Sequence, residues 1–331
     1  MAAGNETPLI TVLGSLNIDL VSYVPHHPLP GETMTSSRFA VSPGGKGANQ
    51  AVACAKLSRA RGDADVSSAS VPAHVRMVGA VGAEGDAHGD LLLSNLRAHG
   101  VDASGVRRPA GLKTGVAVII VDEPTGQNRI VLSPEANHHL GAADFDAGLP
   151  APRPDLLIMQ LEIPRPAVLA ALRAACSSGT PVLLNPAPAL PLPNEAYAGL
   201  AHLVVNETEA AILGGVAEAE LETEAGLEAV GARFLARGVR NVIVTLGGRG
   251  VFYMAAENGG AKGLVPAEKA KVVDTTAAGD TFVGAYALEV VSGKFDIAAA
   301  VRKANRAAAK TVERLGAQDS IPWRDELEAS G

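Results

Sequence analysis

The 331-residue sequence predicts an α/β fold built on a mostly parallel sheet, with a second, smaller sheet set apart from it. Three observations lead there. From Asp155 onward, short apolar runs alternate with helical patterns, the arrangement of repeated right-handed βα units. Polar residues recur where those apolar runs end: Glu162, Asn185, Asn206, Glu209 and Thr245. Two glycine-containing turns, near Gly44 and near Gly279, each open a helix.

Leu9 to Gly14 reads as a buried strand that runs into Ser15-Leu16-Asn17-Ile18-Asp19-Leu20. Asn17 and Asp19 are two apart, so in extended chain they face one side. They stand at a strand's carboxyl end, where open α/β sheets place ligands, although a polar turn accounts for the pair as well. Residues 25–43 carry three prolines before Gly31 and then a polar, β-tolerant run over 32–41 suited to an exposed edge strand or flap. Pro43-Gly44-Gly45-Lys46-Gly47-Ala48-Asn49-Gln50 is a glycine turn opening a helix. It is not a Walker A loop, because no glycine lies five before Lys46 and no Ser or Thr follows it. Lys46 and Asn49 share a helical face and offer donors to a polyhydroxyl ligand; a surface lysine and a capping amide are the plainer alternative.

Residues 58–73 are small, polar and unpatterned, a surface insertion. His74 to Val81 is a strand and Gly85 to His99 an amphipathic helix. Thr114 to Val121 pairs with Arg129 to Leu132 through a connection containing Gly126, a hairpin that with 32–41 forms the small sheet. Strands follow at 156–162, 182–185, 203–205 and 242–246, and helices at 166–176, after Asn206-Glu207-Thr208-Glu209, and at 224–237. The stretch 271–285 begins as an apolar strand end and becomes a helix through a bare turn of small residues. An Ala-rich helix over 295–314 precedes the loop 315–320.

The 271–285 turn carries the sharpest chemical suggestion. Amides at a helix start lack intrahelical partners and sit at the positive end of the helix dipole, so a bare turn can hold a phosphate. Asp280 lies in that turn, placed to take a proton from an attacking hydroxyl. A cradle and a base within four residues suit phosphoryl transfer; a capped helix using Asp274, Thr275 and Asp280 is the competing reading. Asp274 and the 315–320 loop bring only oxygen ligands, the donor set of a hard cation.

Composition narrows the classes. Hydrophobic residues at 47% support a sizeable core, and aromatics at 3% leave its packing to aliphatic side chains. A net charge of −7 argues against a nucleic-acid footprint. No apolar run approaches a bilayer span and the first residues lack a signal-type core, so a cytoplasmic address is expected, with receptor-read targeting left open. Cys54 and Cys176 lie in helical patterns and read as buried thiols. No G-x-G-x-x-G follows the first strand, which disfavours a dinucleotide-dependent dehydrogenase.

Six segments in order complete a recognisable set: Gly14-Ser15-Leu16-Asn17-Ile18-Asp19, Gly44 through Gln50, Asn185-Pro186-Ala187-Pro188, Asn206-Glu207-Thr208-Glu209, Asp274 through Phe282, and Gly316-Ala317-Gln318. From Gly14 to Trp323 the chain resembles the ribokinase-like (PfkB) family of carbohydrate kinases. The resemblance implies one domain over 1–331, a three-layer sandwich around a mostly parallel sheet, and a small β lid over about 32–43 and 113–133. It implies ATP-dependent phosphorylation of D-ribose at the 5-hydroxyl, with Asp280 as base and Ala277, Ala278 and Gly279 as the anion hole. Asn17, Asp19, Gly45, Lys46, Asn49 and Glu162, with Asp280, correspond to sugar positions. Asn206, Thr245, Gly247, Gly250, Gly279 and Asn305 correspond to the nucleotide site, Asn305 standing where family members often carry His. Glu209 completes an Asn-x-x-Glu pattern linked to Mg²⁺ through water. Asp274, Thr276, Thr311, Arg314, Gly316 and Ser320 match the positions of an activating K⁺, several through backbone carbonyls. The lid forms a homodimer contact in the family. A fructokinase, an adenosine kinase, or a non-catalytic sugar-binding protein of the same fold are the alternatives, and the last has no need of Asp280 or the Gly279 turn.

Overall fold

Strands rich in Val, Ile and Leu, followed by helices with one apolar face, can bury both faces of a sheet only by covering each with helices. The computed structural model, which describes residues 7–62, 71–256 and 260–328, has that construction. In chain order the strands are β1 (Leu9–Leu13), β2 (Asn17–Val24), β3 (Arg38–Gly44), β4 (His74–Ala80), β5 (Asp102–Arg107), β6 (Gly115–Asp122), β7 (Asn128–Ser133), β8 (Leu156–Met159), β9 (Val182–Leu184), β10 (His202–Asn206), β11 (Asn241–Thr245), β12 (Val251–Ala255) and β13 (Lys262–Val265). The helices are α1 (Lys46–Leu57), α2 (Ala87–Ala98), α3 (Arg165–Ser178), α4 (Glu207–Gly214), α5 (Glu224–Ala236), α6 (Ala278–Val290), α7 (Ile297–Thr311) and α8 (Arg324–Glu328).

Nine strands form the main sheet in the order β13-β12-β11-β10-β9-β8-β1-β4-β5. The pairs from β11 through β5 are parallel, and only β12 runs against its neighbours. Alternate residues face opposite layers. Ile10, Val12, Ile158, Leu183, Val204 and Ile243 join a core with residues of α1, α2, α6 and α7. Leu13, Leu157, Met159, Leu184, Val205 and Val244 join a second core with residues of α3, α4 and α5. The three-layer expectation holds.

With few aromatic side chains, the helices meet through small residues. A Cβ at Gly284 of α6 would lie 2.5 Å from the Ala53 Cβ and 2.8 Å from the Cys54 amide of α1. That close crossing brings the amino end of α1, with Asn49 and Gln50, against the amino end of α6, with Asp280.

A second sheet has the order β3-β2-β6-β7, with β2 and β6 parallel and both outer pairs antiparallel. The hairpin read around Gly126 is present, closed by the Gly126 amide on the Asp122 carbonyl. The small sheet differs from expectation in two ways. The flap strand spans 38–44, and 32–37 are irregular. The sheet also gains an inner strand, β2, so Asn17 and Asp19 begin a strand of the small sheet and are not the last residues of β1. The reason is pairing: β2 takes partners on both sides over its whole length, which an isolated polar run does not reveal.

Other boundaries shift. Residues 271–273 are not strand; Val272 and Val273 are exposed, and Val272 edges a cleft. The strands β5, β12 and β13, which alternate weakly, were not expected. Cys54 is buried as read, but Cys176 is exposed because it falls on the outer side of α3. Half of the 58–73 insertion, residues 63–70, lies outside the described residues.

Candidate active site

The parallel strands end along one edge, and the polar residues at those ends converge there. Asn185 follows β9, Glu162 follows β8, Asn206 closes β10 and Thr245 closes β11. Two glycine turns feed helices into the same edge. Gly45 precedes α1 with φ +87°, in the left-handed region that favours glycine, and a Cβ there would lie 2.7 Å from the Asn17 amide. At the start of α6, Ala277 takes φ 60° and ψ 7°, a left-handed conformation that costs a non-glycine residue of order 1 kcal/mol or more. The bend turns the next amides outward. The Ala278 N–H lies 3.3 Å from the Thr275 carbonyl, whereas the Gly279 and Asp280 N–H groups have no partner among the described residues. The Ala277 N–H likewise has no partner among the described residues, so Ala278 closes the turn while the amides of Ala277, Gly279 and Asp280 stay open. No side chain caps α6, so the capped-helix reading of Asp274 and Thr275 fails.

Asp280 is buried, and both its carboxylate oxygens accept hydrogen bonds, Oδ2 from Asn49 Nδ2 at 3.0 Å and Oδ1 from Gln50 Nε2 at 2.9 Å. Glu162 Oε2 accepts from the Ser15 hydroxyl at 2.6 Å and from the Lys46 amide at 3.0 Å, which pins the α1 entrance to β8. Asp19 lies against Gly44, where any Cβ would come within 2.2 Å of its carboxylate. Burial, then the neighbouring Glu162 and Asp280 carboxylates, push the Asp19 carboxyl up to about 7. Burial acts to lower Lys46, but the carboxylates of Asp280, Glu162 and Glu209 outweigh it and hold the ammonium above its usual range. Asn17, Asp19, Gly45, Lys46, Asn49, Glu162 and Asp280 are thus neighbours, with the carboxylates of Asp19, Glu162 and Asp280 grouped near the Lys46 ammonium. Those acceptors suit a ligand that brings many hydroxyl donors.

Crowding carboxylates is costly to the fold, and the cost is measurable. Asp19 binds its proton more readily in the native state, so its penalty is full above pH 7, falls as pH drops through 7 and is gone near 3.8. The expected result is that Asp19→Asn raises apo stability at pH 8 by on the order of a few kcal/mol, with a much smaller gain at pH 5. Thermal or urea unfolding at both pH values checks this; equal stabilities at pH 8 would contradict it.

Beside the sugar-type pocket, a cleft of about 510 Å³ is lined by Thr245, Gly247, Gly250, Gly279 and Asn305 among others, with Val251, Val272, Phe282 and Val312 as apolar walls. Asn305 donates from Nδ2 to the Pro266 carbonyl at 2.7 Å, which holds the 266–270 segment over the cleft. Asn206 and Glu209 form a reciprocal cap on α4: the Glu209 amide donates to Asn206 Oδ1 at 2.8 Å and the Asn206 amide to Glu209 Oε2 at 3.0 Å. The cap uses one Glu209 oxygen. Burial pushes this carboxyl up, opposed by the Asn206 amide and Lys46 and reinforced by Asp280.

Around Asp274 two loops are tied together. Its Oδ1 accepts from the Thr276 amide and hydroxyl, and its Oδ2 from the Gly316 amide at 2.9 Å. The Ser320 hydroxyl donates to the Ala317 carbonyl, the Thr311 hydroxyl faces Thr281, and the Arg314 guanidinium turns away to Glu326. The Thr311 carbonyl accepts from the Arg314 amide at 3.1 Å.

Four functional side chains escaped the sequence reading. Asn137 accepts from the Leu16 amide and donates to Asn17 Oδ1 at 2.8 Å, so it orients Asn17 from a short helical turn 120 residues away; no local pattern marks it. Gln50 and Gln318 lie inside segments that were singled out, but their direction was invisible. Gln160, at the end of β8, donates to Gln50.

An acceptor-rich pocket opening onto free helix-start amides and a second, partly apolar cleft belongs to a small-molecule phosphotransferase. The chain belongs to the pfkB family of carbohydrate kinases, whose family model matches residues 7–324. The ribokinase of Schizosaccharomyces pombe is 44% identical over 325 residues, 97% of each chain. The crystal structure of ribokinase from Thermotoga maritima aligns with a TM-score of 0.80 at 38% identity, covering 97% of this chain and 98% of that one. The structure of Arabidopsis thaliana ribokinase complexed with ribose and ATP aligns with a TM-score of 0.83 at 30% identity and covers 98% of each. Among the described residues, no helix is long and apolar enough to cross a membrane.

Proposed function

We propose that this protein transfers the terminal phosphoryl group of ATP to the 5-hydroxyl of D-ribose, giving D-ribose 5-phosphate and ADP. The observation that carries the reading is the placement of Asp280: its carboxylate sits in the first turn of α6, beside the free Gly279 amide, accepts from Asn49 and lies near enough to Asp19 to raise that carboxyl. The sugar lies among Asn17, Asp19, Gly45, Lys46, Asn49 and Glu162. Its 5-hydroxyl donates to Asp280, which takes the proton as the sugar oxygen bonds to phosphorus and the bond to the ADP oxygen breaks. Charge on the transferring oxygens is met by the Gly279 and Asp280 amides, at the positive end of α6. The nucleotide occupies the 510 Å³ cleft along Thr245, Gly247 and Gly250, with its base against the apolar walls near Asn305.

The residues present fit two cations. Glu209, half used by its cap, can hold waters of a Mg²⁺ ion, which when bound neutralises charge on the phosphates. The two loops tied by Asp274 offer only oxygens, with carbonyls of Thr276, Thr311, Arg314 and Gly316 and the side of Ser320, a set for K⁺ that would steady the α6 turn. The small sheet acts as a lid. Its edge strand β7 is exposed throughout and carries Ile130, Val131 and Leu132, a surface suited to pairing with a second copy.

The test is a screen of D-ribose, 2-deoxyribose, fructose and adenosine with Mg-ATP. Ribose is expected to give the highest kcat/KM, with NMR of the product placing phosphate on C5. Replacing K⁺ by tetramethylammonium is expected to lower the rate severalfold. A tenfold preference for fructose or adenosine overturns the substrate, and indifference to K⁺ overturns the cation site.

A further inference from the structure

Two sets of side-chain amides converge on the carboxylate of Asp280, and each meets it with an N–H donor. On one side, Asn185 donates from Nδ2 to the Val204 carbonyl at 2.9 Å, an atom that can only accept. Asn185 must then present Oδ1 to Gln50, whose Nε2 reaches it at 3.0 Å and spends its other hydrogen on Asp280 Oδ1. Gln50 Oε1 is left to accept from Gln160 Nε2 at 2.6 Å. On the other side, Gln318 Nε2 donates to Asn49 Oδ1 at 3.0 Å and Asn49 Nδ2 donates to Asp280 Oδ2, while the Lys56 ammonium holds the backbone carbonyl of Gln318 at 3.0 Å. Asn95 Nδ2 fixes Gln318 by donating to its Oε1. Gln50 and Gln160 are fully buried, and Gln318 nearly so.

We infer that Gln50 and Gln318 are positioning residues for phosphoryl transfer: they fix the plane of the Asp280 carboxylate from opposite sides and leave one acceptor direction free on each oxygen for the sugar hydroxyl. This rests on Asp280 being the base. What distinguishes the arrangement from ordinary core packing is that a buried amide donor meets each of the two carboxylate oxygens. Asp280 receives only donors, from Asn49 Nδ2 and Gln50 Nε2, so these amides require an acceptor at that point, although Gln160 Oε1 behind them finds no partner among the described residues. A displacement of about 1 Å at a reacting group can cost about a hundredfold in rate, so freeing the carboxylate to rotate has a kinetic signature.

The two arms differ in what else they touch. Gln50 meets Asp280, Asn185 and Gln160, whereas Gln318 acts through Asn49, a sugar residue in the proposed reaction. Gln50→Leu is therefore expected to lower kcat about 30- to 100-fold with ribose KM within twofold and nucleotide affinity unchanged. Gln318→Leu is expected to lower kcat and raise ribose KM together. Added to Asp280→Asn, Gln50→Leu is expected to cost nothing further, because its target is gone. A Gln50→Leu enzyme with kcat within twofold of the parent overturns the inference, as does a loss fully additive with Asp280→Asn. If Gln50→Leu does not fold, Gln318→Leu decides by the same criteria. Full activity in Asp280→Asn overturns the base assignment instead, so the two failures are separable.

Discussion

Asp280→Asn is expected to reduce kcat by about 10²- to 10⁴-fold, the range that a positioned general base contributes, while the Kd for ATP stays within about twofold. The substitution keeps size and position, so it removes proton acceptance and little else. It also plants a mismatch. Asn49 and Gln50 both offer NH₂ groups to this side chain, and the new amide nitrogen must face one of them. A buried donor left without an acceptor costs about 1–3 kcal/mol, so a modest fall in Tm is expected with the loss of turnover. The measurement is ADP release under saturating ribose, with nucleotide titration and thermal unfolding on the same preparation. A variant within tenfold of the parent would remove Asp280 from the base role and leave the cradle as a binding site only. A variant that loses nucleotide affinity as much as kcat would assign Asp280 to binding.

The sequence shows the scaffold because α/β architecture is written in local patterns. Apolar runs such as Val204-Val205 and Val242-Ile243-Val244 are buried on both faces in a parallel sheet, and their polar ends mark the ligand edge. The cradle was legible for the same reason: a run of Ala, Ala and Gly ahead of an apolar helix exposes backbone wherever it folds. What was hidden depends on partners far along the chain. The role of β2 needs both β3 and β6 beside it, and a run of eight residues with mixed burial gives no alternation to detect. Asn137 acts through its distance to Asn17, and Gln50 through the direction of an amide; neither is encoded in spacing. The apolar Val272 and Val273 misled because exposed valine in a loop and buried valine in a strand look alike in sequence. Which helix-start amides stay open turns on one backbone hydrogen bond, from Ala278 to Thr275.

Gly279→Val is expected to abolish nucleotide use while leaving the fold intact, with kcat/KM down by at least about a hundredfold. A Cβ at Gly279 meets no atom within 4 Å, so the added isopropyl group has room in the native structure. Valine also suits a helix no worse than glycine, which makes a fall in Tm unexpected. The room it fills, however, is the cleft through which a phosphate must approach the Gly279 and Asp280 amides. Those contacts require about 2.7–3.1 Å between donor and oxygen, and a branched side chain at the cradle holds the phosphate off. Gly47→Ala supplies the opposite case: its Cβ would lie 2.6 Å from the backbone at Gly14 and Ser15, so the damage there falls on stability. Nucleotide titration and unfolding curves on the two variants separate the effects, because one glycine is kept for the ligand and the other for the chain. If Gly279→Val bound and turned over ATP within threefold of the parent, phosphate would not pass over this turn, and the free amides of α6 would need another explanation.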